Sequence, residues 1–276
     1  LIVAPTAFQR VAHPDGEVAT ARGALAAGTV MCYSTLATST PAEVAAVGSQ
    51  RWFQLYVFRD EGITHHLIEQ AREQGFTALV LTVDAPVRGY RERDMRSDFT
   101  IPADLPVASI GRGDVTPKQM FELISPSLTW RDLERIAGEA GLPLVVKGVL
   151  TAEDARLACE HGSAGIVVSN HGGRQLDGVA ATIDALPEVI DAVEGRVDVL
   201  VDGGVRRGAD VVKALALGAR AALVGRPVLW GLAADGERGV THVLELLRAE
   251  ILNALQLTGC ATPADVTRAH VGRRPH

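Results

Sequence analysis

Short runs rich in Val, Leu, Ile and Ala alternate with amphipathic segments along this chain, and that alternation restricts its fold more than any other feature. The runs lie at 1–4 (LIVA), 29–33 (TVMCY), 52–57 (WFQLYV), 78–83 (ALVLTV), 143–147 (PLVVK), 165–169 (GIVVS), 198–202 (DVLVD) and 221–224 (AALV). They are close to continuously apolar, as expected of strands buried on both faces of a parallel sheet. Between them the spacing predicts helices over 15–27, 41–47, 61–74, 131–140, 152–161, 183–193, 208–217 and 239–257. Thr40, Pro41 and Glu43 read as a capping box with proline in the first turn. Thr151 followed by Glu153 and Asp154 puts carboxylates where a helix start favours them. Gly28, Gly75, Gly141, Gly162 and Gly218 follow helices, where a left-handed cap favours glycine.

Strict alternation of eight strands with eight helices means a parallel α/β architecture. Without a reversal point it favours a closed (β/α)8 barrel, the TIM-barrel fold, over a doubly wound sheet. The 276 residues give about 34 per repeat, ordinary for such a barrel, so 1–276 is expected to form a single domain. The irregular stretch 85–130, rich in Pro, Gly, Arg and Asp, follows the fourth strand. It is expected to lie over the barrel mouth as a mobile lid.

Composition narrows the classes further. With 47% apolar and 22% charged residues, disorder, collagen and a disulfide scaffold are excluded. No apolar run reaches the length of a membrane span. Cys32, Cys159 and Cys260 form no CxxC pair, which argues against a zinc site or disulfide framework and fits a reducing cytoplasm. A net charge of −6 offers no broad basic field for nucleic acid. The cluster Arg88, Arg91, Arg93 and Arg96 reads equally as a solvated loop or a receiver for a small anion. The chain opens on Leu1-Ile2-Val3-Ala4-Pro5, already inside a strand pattern and with neither initiator Met nor signal sequence. The numbering is therefore expected to begin partway through a longer protein.

Polar residues collect at the carboxyl ends of the runs. They are Thr6, Ser34, Gln54 with Tyr56, Thr82 with Asp84, Lys147, Ser169-Asn170-His171, Asp202-Gly203-Gly204 and Gly225-Arg226. In a barrel all these ends converge on the face where active sites sit. Any one of them alone reads as a satisfied structural group; together they point to a site. Gly203-Gly204 and Gly225-Arg226 follow the seventh and eighth strands, where barrels hold phosphate on backbone N–H groups, with Arg206 and Arg226 as charged donors. Ordinary tight turns are the alternative reading. Residues 168–178 read VSNHGGRQLDG. A histidine on such a turn can serve as a general base, and Arg174 offers a planar fork for a carboxylate. The other seven histidines (His13, His65, His66, His161, His242, His270 and His276) fall in helical patterns, at a helix entrance or near the tail.

These motifs resemble the FMN-dependent α-hydroxy-acid oxidase and dehydrogenase family, which includes glycolate, lactate and mandelate oxidases. The resemblance runs over nearly the whole chain. It is carried by APTA at 4–7, HPDGE at 13–17, FQLYV at 53–57, LTVDAP at 81–86, VKGVLTAEDA at 146–155, VSNHGGRQLDG at 168–178, VDGGVRRGADVVKALALGA at 201–219 and VGRPVLWGLA at 224–233. It implies FMN as cofactor. Pro5, Thr6 and Ala7 would pass the flavin ring with their main chain, and Ser34, Gln54, Tyr56, Thr82 and Ser169 would line the ring and ribityl chain. Lys147 would stand beside the ring where negative charge develops. Asp202, Gly203, Gly204, Val205, Arg206, Gly225 and Arg226 would hold ribityl and phosphate.

The resemblance further implies that Arg91 and Arg174 clamp the carboxylate of an (S)-2-hydroxy acid, that Tyr56 binds its oxygens, that His171 takes a proton and that Asp84 orients His171. Electrons would pass through FMN to oxygen, or in the alternative to a quinone or other acceptor. An FMN-dependent isopentenyl diphosphate isomerase is disfavoured by His171 with Arg174, and a truncated flavin-binding barrel without activity is the non-enzyme alternative. A cytoplasmic homotetramer is implied. The family carries a cap segment before its first barrel strand, with a tyrosine that touches substrate, and this segment is expected to be absent here. Leu36 stands where some oxidases place an aromatic, opening space for a larger substrate side chain. Ala7, where some membrane-associated dehydrogenases have glycine, leans toward an oxidase.

Overall fold

In the computed structural model, which describes residues 1–111 and 117–272, the eight strands pair in parallel in chain order and close on themselves. They are β1 (Ile2–Val3), β2 (Val30–Ser34), β3 (Arg51–Leu55), β4 (Leu79–Thr82), β5 (Leu144–Val149), β6 (Gly165–Val168), β7 (Asp198–Val201) and β8 (Ala221–Val224). Closure comes from β1 pairing with both β2 and β8, so no strand edge is left. Around them run α1 (Gly16–Ala26), α2 (Pro41–Ala45), α3 (Glu61–Glu73), α4 (Glu92–Arg96), α5 (Pro117–Glu122), α6 (Trp130–Ala140), α7 (Ala152–Glu160), α8 (Thr182–Val193), α9 (Gly208–Ala216) and α10 (Arg226–Leu257). The capping box at Thr40 and Glu43 forms, and Gly28, Gly75, Gly141, Gly162 and Gly218 all adopt the left-handed conformation.

Side chains on a strand alternate between faces, so each strand feeds two cores. Ile2, Ala4, Cys32, Val80, Val145, Val167, Leu200 and Leu223 form one buried cluster inside the barrel. The other face packs on the helices, where Tyr33, Phe53 and Phe76 make a triad with centroids 5.2 to 5.6 Å apart.

Two expectations need correction. The helix expected over 239–257 is the second half of α10, which already starts at Arg226 and bends at Asp235 and Gly236, whose backbone is non-helical. The stretch 85–130 is not one irregular loop. It holds α4 and α5, its Val107, Ile110, Met120 and Ile124 are buried, and Ile124 bridges to Phe58 just past β3. Its middle, 112–116, lies outside the described residues, as does His276. No helix among the described residues is long and apolar enough to cross a membrane.

Candidate active site

Two residues beyond most members of the inner apolar cluster, on the same face of the strand, the chain turns to a polar residue or, after β8, to glycine. Cys32 is followed by Ser34, Val80 by Thr82, Val145 by Lys147, Val167 by Ser169, Leu200 by Asp202 and Leu223 by Gly225, while Trp52, packed against the cluster, is followed by Gln54. The alternation that fills the barrel with hydrocarbon thus caps it with a polar layer at its carboxyl end. Ser34 Oγ donates to Gln54 Oε1 (3.3 Å), and Gln54 Nε2 donates to Thr82 Oγ1 (3.0 Å).

Lys147 donates to Ser169 Oγ (3.0 Å) and pairs with Asp202 Oδ2 (3.4 Å), though Lys147 is only 4% exposed. Burial alone pushes its pKa down. The charges of Asp202 and Asp84 and the nearby Tyr56 phenol outweigh burial and raise it above the ordinary lysine value, so the ammonium stays charged. Burial pushes the Tyr56 phenol up to about 12, so it is a neutral donor at physiological pH.

His171 and Asp84 meet across two loops, with Nδ1 2.8 Å from Asp84 Oδ1. An Nδ1–H donated to a carboxylate leaves Nε2 with its lone pair available for a proton. Burial pushes the Asp84 carboxyl up, but the hydrogen bond from His171 and the charge of Lys147 win and hold it below its ordinary 3.8. The backbone is arranged around this pair. His171 sits at φ +56°, a left-handed conformation costly for a residue with a Cβ, and its N–H donates to Ser169 Oγ (3.1 Å). Beneath Asp84, β5 carries a bulge between Lys147 and Val149. The residue between them, Gly148, lies at φ +116°, and a Cβ there would stand 2.7 Å from Asp84 Cβ.

The arginines divide. Arg93 and Arg96 are exposed, with Arg96 paired to Glu92 (2.7 Å), and the exposed Arg88 lies 5.9 Å from the Phe121 ring centre. Arg91 turns inward and donates through Nε to the Arg174 carbonyl (3.2 Å). Burial, then the charges of Arg174 and Arg88, lower its pKa. The Arg174 guanidinium pairs with Asp94 (3.5 Å).

Past the end of β7, Gly203 and Gly204 take φ of +85° and +78°, and Val205 is buried. Gly225 caps α10, and Arg226 donates to the Gly172 carbonyl (3.0 Å), tying that corner to the His171 turn. Arg206 lies 5.6 Å from the Trp230 ring centre. Pro5, Thr6 and Ala7 are half-buried, Thr6 lies beside Gly225, and Thr6 Oγ1 accepts from Gln9 Nε2 (2.9 Å). Leu36 is buried.

Sequence reasoning missed Gly148, Asp94, Gln175 and Glu17. Gly148, Gln175 and Glu17 lie inside motifs already quoted, but apart from Gln9 beside Glu17 the groups they meet are remote in sequence and no local spacing reveals them.

The sequence pattern of the family described as FMN-dependent dehydrogenase matches residues 1–273. An L-lactate oxidase from Nostoc sp. is 50% identical over 282 aligned residues, covering 96% of this chain and 77% of the relative. A glycolate oxidase 3 from Arabidopsis thaliana is 49% identical, covering 98% and 77%. Among solved structures, a mandelate oxidase variant with (S)-mandelic acid superposes with a TM-score of 0.89 at 47% identity, covering 97% of this chain and 76% of that one. With family pattern, sequence identity and barrel geometry in agreement, the chain belongs to the FMN-dependent dehydrogenase family.

Proposed function

We propose that residues 1–276 act as one FMN-binding barrel that oxidises an (S)-2-hydroxy acid to the 2-oxo acid, with oxygen as the final acceptor and hydrogen peroxide as co-product. The observation that carries this reading is the Asp84–His171 pair at 2.8 Å, set beside a buried lysine and two arginines at one barrel mouth. Relatives named for lactate, glycolate and mandelate oxidation support the substrate class.

The residues fit the cofactor. Asp202 Oδ1 is buried without a hydrogen-bond partner, a position that suits a ribityl hydroxyl donor. The left-handed Gly203 and Gly204 and the start of α10 at Gly225-Arg226 present backbone donors to a phosphate. Ser34, Gln54, Thr82, Lys147 and Ser169 would border the ring and ribityl chain, Pro5, Thr6 and Ala7 would pass it with their main chain, and Val205, Arg206 and Arg226 would complete the phosphate end. When bound, FMN supplies the two-electron acceptor that no side chain here provides.

The chain's own groups do the rest. Arg91 and Arg174 bind and orient the substrate carboxylate, which takes the place of Asp94 on Arg174. Neutral Tyr56 donates to a substrate oxygen. His171 Nε2 accepts the hydroxyl proton, and ionised Asp84 stabilises the resulting imidazolium. Lys147 is a fixed cation that favours negative charge at the polar layer. The same reading takes the protein as a cytoplasmic homotetramer. Three unpaired cysteines support a reducing compartment, and the family resemblance supports the tetramer.

The test is spectroscopic. Purified protein should show flavin absorbance that bleaches when lactate, mandelate or glycolate is added without oxygen. His171→Ala should keep the colour and lose the bleaching. Bleaching of that variant at the parental rate would remove His171 as the base, and a protein that takes up no FMN would overturn the whole reading.

A further inference from the structure

Gln175 follows Arg174 in the most specific motif of the chain, and nothing above gives it a task. Its side chain leaves its own loop and inserts into the connection between β4 and α4. Nε2 donates to the Asp84 carbonyl (3.1 Å) and to the Val87 carbonyl (2.9 Å). Oε1 accepts from the Gly89 N–H (3.1 Å) and, at the outer limit of a hydrogen bond, from Arg91 Nη2 (3.5 Å). A single side-chain amide thus uses both donors and its acceptor on the opposite loop, much as a neighbouring strand would. The loops also touch directly. A Cβ on Gly89 would lie 2.4 Å from the Arg174 carbonyl oxygen and 2.6 Å from Gln175 Cα. Arg91 Nε closes the seam on the Arg174 carbonyl.

This seam joins functional groups that arrive on different loops. Asp84, Gly89 and Arg91 are on one side, and His171, Arg174 and Gln175 on the other. Two guanidiniums repel each other; Asp94, paired with Arg174, offsets part of that repulsion, and the seam fixes the spacing of Arg91 and Arg174 before a substrate anion arrives. The amide is neutral and does not compete for that anion.

We propose that Gln175 is a positioning residue that sets the spacing of Arg91 and Arg174 and so determines how tightly the site holds a substrate carboxylate. The proposal rests on the 2-hydroxy-acid reading given above. A merely structural glutamine would act on stability and flavin content together. A positioning glutamine acts on carboxylate affinity, because its four partners are half-buried or exposed loop groups that water can satisfy when the amide is removed.

The experiment uses FMN-loaded protein and oxalate, a dicarboxylate of substrate size with no C–H bond to lose. Binding is followed through the flavin spectrum. Gln175→Met keeps length and volume but no donor or acceptor. It should weaken oxalate binding about ten-fold, the effect of losing roughly one net hydrogen bond from the clamp. KM for the hydroxy acid should rise by a similar factor and kcat should fall by less. Flavin content and Tm should stay at the parental values. Gly89→Ala removes no polar group but forces the loops apart, so it should give the same loss of oxalate affinity per loaded site, with a lowered Tm because its Cβ meets backbone. It carries the test if Gln175→Met does not load flavin. Parental oxalate affinity in both variants overturns the proposal, as does a loss that follows flavin content with unchanged affinity per loaded site. If wild-type flavin binds oxalate but is bleached by no 2-hydroxy acid, the functional reading fails, and the comparison of oxalate affinities still decides the role of Gln175.

Discussion

Lys147 shows how far a single residue can be read from sequence and where the reading stops. Its place at the end of an apolar run, two positions after the inward-facing Val145, marks it as facing the barrel mouth. Its partners Ser169 and Asp202, on β6 and β7 loops, are legible only once the strands are known to be neighbours. The pKa shifts define its pH behaviour. The Lys147 value is raised above its ordinary 10.5, so its contribution to stability is complete below 10.5 and is lost only as pH climbs through the higher folded value. Asp84 is shifted below its ordinary 3.8, so its contribution is present above 3.8 and is lost as pH falls through the folded value. Between those limits stability should be flat with respect to both groups. Lys147→Met leaves Asp202 buried without its cation and should cost about 3–5 kcal/mol near neutrality. The gap to wild type should narrow only as pH falls below 3.8 and through the lowered folded value of Asp84, where its protonation weakens the attraction that wild type enjoys. Urea unfolding at several pH values measures this, and a gap that does not narrow in acid would separate Lys147 from Asp84 energetically.

At the scale of elements, the strands were the most legible part. Their apolar runs have to fill two cores at once, and all eight are found within a few residues of the expected limits. Segments shaped by backbone rather than by hydrophobic period were not. The first half of α10 is hidden because the Asp235-Gly236 bend breaks the helical spacing. The β5 bulge is hidden because one glycine inside a strand pattern does not reveal which residue presses against it. That bulge lets Asp84 sit directly over β5. Gly148→Ala places a Cβ into Asp84 at a backbone angle side chains avoid, so it should destabilise the protein by about 2–4 kcal/mol. Because the clash falls on Asp84 Cβ and Cγ, flavin reduction by substrate should drop more than flavin binding does. Urea unfolding and anaerobic reduction rates check the two parts separately. Equal loss of flavin and of reduction rate would make the bulge a feature of the fold alone.

Across the whole molecule, a closed barrel has to join each loop of its mouth to the next without a sheet edge to lean on, and Glu17 does this for the mouth around β1 and β2. Its carboxylate is fully buried. Oε1 accepts from the N–H groups of Gln9 (3.1 Å) and Thr38 (2.9 Å), and Oε2 from Thr38 Oγ1 (2.6 Å), Ser39 N–H (3.0 Å) and Ser39 Oγ (3.1 Å). Gln9 then carries the connection to Thr6, on the segment after β1 that would face the flavin. Glu17 sits in the quoted motif HPDGE, yet its partners beyond Gln9 lie more than twenty residues away, on a loop that only the β1–β2 pairing brings close. Glu17→Gln keeps the shape but turns an amide NH2 toward a backbone donor in either orientation. The hydroxyls of Thr38 and Ser39 can rotate to accept it, whereas the N–H groups of Gln9, Thr38 and Ser39 cannot. The cost should therefore be about 2–3 kcal/mol, one charged hydrogen bond lost and one buried donor left unmatched. If the network also fixes the Thr6 segment, the dissociation constant for FMN should rise several-fold beyond what unfolding explains, at temperatures where the variant is fully folded. Urea unfolding together with FMN titration gives both numbers. A destabilised variant with parental FMN affinity would confine Glu17 to holding the barrel mouth, with no bearing on how β1 meets the cofactor.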